Sequence, residues 1–277
     1  MKISGQTKIT GLFGDPVAHS LSPAMHNAAF SHLNLDYVYV PYHVTPDNLK
    51  RAVNSIKSLN ITGVNVTVPH KQTVIPYLDH IDKSATRCSA VNTIVNHNGT
   101  LTGYNTDGDG FIDSLKEYGF DPQDKKIIIL GAGGSARAIA AALLEENVAQ
   151  ITLLNRTVEK AEQLAEDLGQ AHSFSVIHLL SNFSPSIYCA DLVVNTLSIP
   201  FKQEGGDWLV DLSCAAGALF YDLRYGKMPS DFLAYAKELK SPGLDGLGML
   251  IHQGARAFQL FTGTQPPIDI MKKALSI

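Results

Sequence analysis

One stretch of the sequence constrains the fold more than any other, and it reads "KIIILGAGGSARAIAAALLEEN" over residues 126–147. A run of large aliphatic residues passes through glycines into an alanine-rich run that is typical of a buried helix. A strand that turns through glycines into a helix is the first half of a βαβ crossover, and such crossovers build parallel sheets. This stretch therefore predicts an α/β fold.

The rest of the chain repeats the alternation of β-rich and helical runs. The β-rich runs are "KITGLF", "DYVYVPYHV", "TGVNVTV" and "AVNTIV" and then, after the glycine turn, "ITLLNRT", "ADLVVNT", "WLVDLS" and "ALFYDL". Residues 105–119 are predicted to form a helix that joins the two series, and residues 244–263 an apolar helix that returns to the first. Two α/β domains in tandem follow.

Composition narrows the class of protein. The 277 residues are 45% hydrophobic and carry a net charge of -4, so the chain can bury large cores but offers no basic field to nucleic acid or to an anionic membrane. A small-molecule partner is the better expectation. Cys88, Cys189 and Cys214 contain no CxxC pair, which disfavours a disulfide framework and a metal site. With no apolar run near the ~20 residues that cross a bilayer, a cytoplasmic protein is predicted.

The glycine turn is a candidate dinucleotide site. Gly131 and Gly133 allow a tight turn and a close approach of the backbone to a pyrophosphate, whose charge the first amides of the helix can bind. The residues expected around it are Gly131, Ala132, Gly133, Gly134, Ser135 and Ala136. The alternative is a strand-to-helix turn in which glycine serves geometry only.

The end of the next strand decides between NAD and NADP. About 20 residues after the glycine turn, an NAD enzyme usually offers an acidic group to the ribose hydroxyls. Here the strand ends in Asn155, Arg156 and Thr157. A guanidinium suits a 2′-phosphate by charge and by forked geometry, so NADP is favoured. Lys160 either adds to this patch or is a solvated charge on a helix.

Two serines precede the first predicted helix. Ser20 and Ser22 stand beside the free amides of that helix, with Pro23 in its first turn. Hydroxyls at a helix amino end form a receptor for a carboxylate, because the helix end favours negative charge. Ser22 alternatively acts as a helix N-cap, worth ~1 kcal/mol.

The stretch "NVTVPHK" places a polar strand face before a lysine. Asn65 and Thr67 share one face, while Val64, Val66 and Val68 are expected to be buried on the other. This polar face either lines a site or is the exposed face of an edge strand.

Lys71 ends that stretch at the predicted start of a helix. A cation is disfavoured there, so we expect Lys71 to exchange a proton near neutral pH as a general acid or base. Asp107 is the candidate partner carboxylate, with Asp109 less favoured, although Asp107 alternatively serves as an ordinary helix N-terminal charge. Sequence spacing does not prove that Lys71 and Asp107 meet.

Eight motifs, in order, resemble those of the shikimate dehydrogenase family over nearly the whole chain. They are "SLSP", "NVTVPHK", "AVNT", "NTDGDG", "GAGGSARA", "NRT", "YDLRY" and "GLGMLIHQGARAF". The resemblance implies NADP-dependent, reversible reduction of 3-dehydroshikimate to shikimate in aromatic amino acid (chorismate) biosynthesis. It also implies an N-terminal substrate-binding domain (1–103 and 241–277) and a Rossmann-like NADP-binding domain (104–240), separated by a cleft.

The resemblance also implies roles for single residues. Lys71 would transfer the proton and Asp107 would orient it, while Ser20 and Ser22 would bind the substrate carboxylate. The substrate hydroxyls would contact Asn65, Thr67, Asn92, Asp107, Tyr221 and Gln253. Beyond the glycine turn, the cofactor would contact Asn155, Arg156, Thr157, Leu219, Gly246 and Met249.

The chain departs from the family pattern at Cys88 and Ser89, where isoleucine and glycine are usual, and at residues 195–200. A quinate or quinate/shikimate dehydrogenase that uses NAD is the alternative enzyme, and a noncatalytic NADP-binding sensor is the alternative outside enzymes. The resemblance to the family is compatible with both a monomer and a homodimer.

Overall fold

A computed structural model describes residues 3–169, 174–178, 189–204, 206–226 and 228–275. The chain divides into two compact units, one made of Met1–Phe111 with Leu250–Ser276 and the other of Ile112–Met249. Both changeovers fall inside helices. The α/β fold class is confirmed, since strands and helices alternate through most of both units.

The β-rich runs of the first unit form a mixed six-stranded sheet in the order β2-β1-β3-β5-β6-β4. The strands are β1 (Lys8–Gly14), β2 (Tyr37–His43), β3 (Gly63–Val66), β4 (His80–Ile81), β5 (Thr93–His97) and β6 (Thr100–Tyr104). The first helices are α1 (Ser22–His32), α2 (Leu49–Ser58) and α3 (Lys83–Thr86). β1 runs parallel to β2 and β3, whereas β5 is antiparallel to β3 and β6. This order makes β3 an interior strand.

One face of this sheet is packed with large apolar side chains. Phe13, Val64 and Val66 pack with Val53 and Ile56 of α2 in one buried cluster. Because side chains alternate along a strand, Asn65 faces the other side of the sheet. Asn65 is therefore on the opposite side of the sheet from this apolar cluster.

The second unit is built on a sheet whose paired strands are all parallel, in the order β12-β11-β10-β7-β8-β9. Its strands are β7 (Lys126–Leu130), β8 (Gln150–Asn155), β9 (Phe174–His178), β10 (Leu192–Asn195), β11 (Leu219–Asp222) and β12 (Gly243–Leu244). The remaining helices are α4 (Asp107–Tyr118), α5 (Gly134–Glu145), α6 (Val158–Asp167), α7 (Asp231–Glu238), α8 (Leu247–Thr262) and α9 (Ile268–Ala274). The predicted strand–turn–helix over residues 126–147 is confirmed.

Two predicted elements are wrong. The run "WLVDLS" is not a strand, because Leu209 N donates to Phe201 O and Leu212 N donates to the Tyr235 hydroxyl at 2.8 Å, in loop contacts that replace a ladder. Its apolar residues pack into the core of the second unit, so the run has the same hydrophobic pattern in sequence as a buried strand. No helix begins at Lys71 either, since turns lead into a short 3-10 segment, Ile75–Tyr77. Pro76 would interrupt a helix that started at Lys71.

No helix in the described part of the chain has the length and apolar character needed to cross a membrane.

Candidate active site

A buried ion pair lies at the centre of the polar residues of the first unit. Lys71 Nζ lies 2.5 Å from Asp107 Oδ2, and the two side chains are only 11% and 5% exposed. Asp107 begins α4, whose amino end favours its negative charge. Val91 N donates to Lys71 O at 2.7 Å, which ties the lysine segment to the chain just before β5. The structure thus joins two residues whose contact the sequence could not establish.

Asn92 holds the other oxygen of this carboxylate. Its Nδ2 donates to Asp107 Oδ1 at 2.8 Å and to Thr106 Oγ1 at 2.9 Å, while its Oδ1 accepts from Thr106 N at 2.9 Å. Nδ2 also lies 3.4 Å from Gln253 Oε1. The two oxygens of Asp107 are therefore held from different sides, one by a cation and one by an amide.

Asn65 is buried on β3, and both its amide oxygen and its amide nitrogen form hydrogen bonds within the protein. Its Oδ1 accepts from the Tyr39 hydroxyl at 2.8 Å, and its Nδ2 donates to Thr93 Oγ1 at 2.9 Å and to Asn92 O at 3.2 Å. Both amide hydrogens are used within the protein, so this arrangement leaves only a lone pair of Oδ1 for a ligand hydroxyl. The alternative of an exposed edge strand is wrong, because β3 lies between β1 and β5.

The chain leaves β3 before the end of the predicted strand. Val64 and Val66 are buried, but Val68 is 58% exposed, which corrects the expectation for that valine. The reason is that β3 ends at Val66, so strand alternation no longer sets where Val68 points. Thr67 is half-buried beside Gly14, where an added Cβ would collide with its methyl group.

The paired serines lie at the start of α1. Ser22 is the first helical residue and Leu21 takes the N-cap position, with no side-chain capping bond. The N-cap alternative for Ser22 is therefore wrong. Ser20 Oγ instead accepts from Ser22 N at 3.3 Å. In the described part of the chain, no hydrogen bond joins these serine side chains to the Lys71 network, and the carboxylate receptor stays a prediction.

In the second unit, β7 leads directly into the glycine turn. Gly131 has φ +112°, where an added Cβ would also collide with Thr196 Oγ1. Gly133 is the N-cap of α5, has open space around it and leaves the helix without a side-chain cap. Since the first amides of a helix have no carbonyl partner within it, this turn presents backbone donors that fit a pyrophosphate.

The turn after β8 contains the residues that the sequence predicts to contact the 2′-phosphate of NADP. Asn155 Nδ2 donates to Thr157 O at 2.6 Å, which holds the turn between β8 and α6. Arg156 between them is exposed, and no ion pair with another described residue engages its guanidinium. A guanidinium in this setting can receive a phosphate without first breaking an internal bond.

Comparison with known proteins gives matches along the whole chain. The family models are the shikimate dehydrogenase substrate binding domain over residues 12–94, shikimate / quinate 5-dehydrogenase over 114–200 and the shikimate 5′-dehydrogenase C-terminal domain over 246–275. A shikimate dehydrogenase (NADP(+)) of Desulforamulus reducens is 46% identical over 281 residues, which cover 99% of this chain and 96% of the relative. The chain belongs to the shikimate dehydrogenase family.

Solved structures agree with this membership. The shikimate dehydrogenase of Aquifex aeolicus matches with a TM-score of 0.89 at 35% identity, over 100% of both chains. A shikimate dehydrogenase in complex with NADP+ matches with a TM-score of 0.86 at 41% identity, over 99% of this chain and 96% of that one. The family resemblance and the two-unit α/β fold are confirmed.

Tyr221 is wrongly assigned to the substrate. Its side chain is completely buried, with the hydroxyl 2.8 Å from Ser114 Oγ and accepting from Met249 N at 3.1 Å, and burial raises its pKa to about 12. Tyr225 follows the carboxyl end of β11 and is half-buried. Ligands of open α/β sheets bind at that end, so Tyr225 is the better candidate in this family member. The motif "YDLRY" contains both tyrosines. They are distinguished by the end of β11, because Tyr221 lies within the strand and Tyr225 follows it.

Leu219 is misplaced for the same reason. It lies at the amino end of β11, in register with Leu192, while the glycine turn follows the carboxyl end of β7. Leu223 comes after β11 and is the better candidate. An added Cβ on Gly246 would collide with Leu223 O, so the backbone of Gly246 packs closely against this edge, and its contact with the cofactor stays a prediction.

The departure at residues 88 and 89 lies in a turn before β5. Ser89 takes φ +50°, the left-handed region that glycine enters without steric cost, so this turn has a conformation that suits a glycine. Cys88 is buried and donates to Ala90 O at 3.5 Å, and burial raises its pKa to about 11. The chain therefore still delivers Asn92 to Asp107.

Proposed function

We propose that this protein catalyses the NADP-dependent, reversible reduction of 3-dehydroshikimate to shikimate in aromatic amino acid biosynthesis. The observation that carries the proposal is the buried Lys71–Asp107 pair with its 2.5 Å contact, in a chain of this family. Bound NADPH supplies the hydride. Lys71 Nζ gives a proton to the ketone oxygen as it becomes an alkoxide, and Asp107 holds the ammonium in place.

The remaining site residues bind and orient. We propose that Ser20 and Ser22 receive the substrate carboxylate, and that the hydroxyls contact Asn65 Oδ1 and the residues Thr67, Asn92, Tyr225 and Gln253. The turn at 131–136 would hold the pyrophosphate, and Asn155, Arg156 and Thr157 would surround the 2′-phosphate, with Gly246 and Met249 nearer the rest of the cofactor. A cytoplasmic monomer or homodimer fits this role.

Initial rates at 340 nm test the proposal, with shikimate and quinate each crossed with NADP and NAD. The family model over residues 114–200 names both shikimate and quinate, so the substrate must be tested directly. Turnover of shikimate with NADP alone is the expected result, because Arg156 is open to a 2′-phosphate. Quinate turnover with NAD would favour the quinate alternative. Cofactor binding without turnover in all four reactions would favour the sensor.

A further inference from the structure

A chain of hydrogen bonds runs through the first unit toward Asp107 from residues outside the proposed substrate contacts. It starts at Tyr39 on β2, whose hydroxyl donates to Asn65 Oδ1 at 2.8 Å. Asn65 Nδ2 donates to Thr93 Oγ1 at 2.9 Å, and Thr93 Oγ1 donates to Asn92 Oδ1 at 2.9 Å. Asn92 Nδ2 then donates to Asp107 Oδ1 at 2.8 Å. Every step therefore donates in the same direction and ends on the carboxylate.

The direction of the chain is imposed by groups that can play only one role. Asn92 O can only accept, so the amide hydrogens of Asn65 must face it. Thr106 N can only donate, so Asn92 must present Oδ1 to it and Nδ2 to Asp107. The Thr93 hydroxyl lies between a donor and an acceptor and has one available orientation.

The start of the chain is held rigidly. Tyr39 is 1% exposed, and its ring stacks on His26 with centroids 4.4 Å apart and parallel planes. Both ring nitrogens of the buried His26 are without a hydrogen-bond partner among the described residues, so this histidine supports Tyr39 by packing. The hydroxyl of Tyr39 therefore has little freedom to turn away from Asn65.

We propose that Tyr39 and Thr93 are positioning residues, which orient Asp107, and through it Lys71, by this chain of donors. The inference rests on the proposed function. Aligned hydrogen bonds strengthen one another, and loss of one hydroxyl leaves a buried amide unsatisfied and free to shift. The carboxylate then loses its fixed direction, while the cofactor contacts in the second unit remain.

Matched variants isolate this effect. Tyr39→Phe removes the first donor and keeps the ring. Tyr37→Phe is its control, because Tyr37 is on the same face of β2 and its hydroxyl donates to Phe261 O at 3.4 Å, outside the chain. Thr93→Val removes the central hydroxyl and Thr93→Ser restores it. Thr10→Val is the second control, since the buried Thr10 hydroxyl donates to Val38 O at 3.0 Å.

We expect kcat to fall about 3- to 10-fold in Tyr39→Phe and in Thr93→Val, the fold-change that loss of one typical hydrogen bond corresponds to, with KM for NADP unchanged. Thr93→Ser should recover most of kcat, and both control variants should keep it even where their Tm falls. The double variant should be little slower than the worse single one, because both changes interrupt one chain.

Three results would each overturn the proposal. They are a wild-type kcat in Tyr39→Phe and Thr93→Val, an equal loss of kcat in the control variants, and a failure of Thr93→Ser to recover activity. If Thr93→Val does not fold, the comparison of Tyr39→Phe with Tyr37→Phe decides alone. An inactive wild-type protein would count against the proposed function, whereas an active one with unaffected variants would count against the chain only.

Discussion

The two candidate binding regions of this protein are built in opposite ways. In the first unit, the side chains of Lys71, Asp107 and Asn92 are bonded in sequence and largely buried, and the buried Asn65 side chain donates to the backbone carbonyl of Asn92. In the second, the turn after β7 offers backbone amides, and Arg156 is exposed. The first region is organised before a ligand arrives, whereas the second keeps its donors and its charge for the ligand.

This difference determines how each region should respond to substitution. Removing a side chain from the buried network leaves its partners unsatisfied, and that cost falls on the arrangement that we propose for proton transfer. A backbone site tolerates most side-chain changes but depends on conformation where φ is positive. Four predictions test the comparison.

The largest effect is expected at the ion pair. Lys71→Ala removes the proposed proton donor, so kcat should fall by about 10²- to 10⁴-fold while NADP binding is nearly unchanged. Steady-state kinetics and cofactor titration on one preparation measure both. Lys50→Ala, on the exposed surface of α2, is the control and should behave as wild type. Near-normal turnover of Lys71→Ala would remove this residue from the mechanism.

The next effect belongs to the exposed guanidinium of the second region. Arg156→Ala should raise KM for NADP about 10- to 100-fold, since hydrogen bonds to charged groups are worth ~1.5–3 kcal/mol, and should leave KM for NAD unchanged. Lys160→Ala measures whether that lysine joins the same patch or is only a solvated charge. Equal changes with both cofactors would show that Arg156 does not select the 2′-phosphate.

Alanine substitutions at two glycines of the turn after β7 compare a position with positive φ and little space with a position that has open space. Gly131→Ala should lower the free energy of unfolding by ~1–3 kcal/mol, because its φ of +112° suits glycine and a Cβ would collide with Thr196. Gly133→Ala should cost less stability than Gly131→Ala, because its Cβ would have nothing within 4 Å and only the poorer N-cap propensity of alanine counts against it. Chemical denaturation compares the two variants, and similar losses of stability would contradict this account of the turn.

The smallest effect concerns the histidine beneath Tyr39. Complete burial lowers the pKa of His26 from 6.5 to about 3, so the unfolded chain binds more protons than the folded one as pH falls below 6.5. The free energy of unfolding therefore has its full value above pH 6.5. Protonation of His26 in the unfolded chain should by itself lower that free energy by about 1 kcal/mol by pH 6.

His26→Phe keeps an aromatic ring and removes the titration, so its stability should depend less on pH between 7 and 6. His32→Phe, at the exposed end of α1, is the control. Denaturant midpoints at both pH values provide the comparison. Identical pH dependence in wild type and His26→Phe would show that His26 does not titrate as its burial requires.

Local patterns in the sequence predicted much of the fold and part of the site. The aliphatic run, glycines and alanine-rich helix after residue 126 were enough for the nucleotide-type turn, because each element is determined by neighbours in sequence. Tyr221 and Leu219 were assigned wrongly for the opposite reason. Their motif contains the right residue types, but the end of β11 decides which of them lie at the ligand edge of the sheet.

The sequence by itself determined the alternation of strands and helices, the glycine turn, the basic residue after β8 and the family. Only the tertiary structure decided that Lys71 contacts Asp107, that both amide hydrogens of Asn65 are used within the protein, and that Tyr39 and Thr93 form hydrogen bonds with Asn65. These contacts join residues that are far apart in the chain. Backbone geometry sets local structure residue by residue, whereas the partner of a buried polar group is decided by which strands the sheet places side by side.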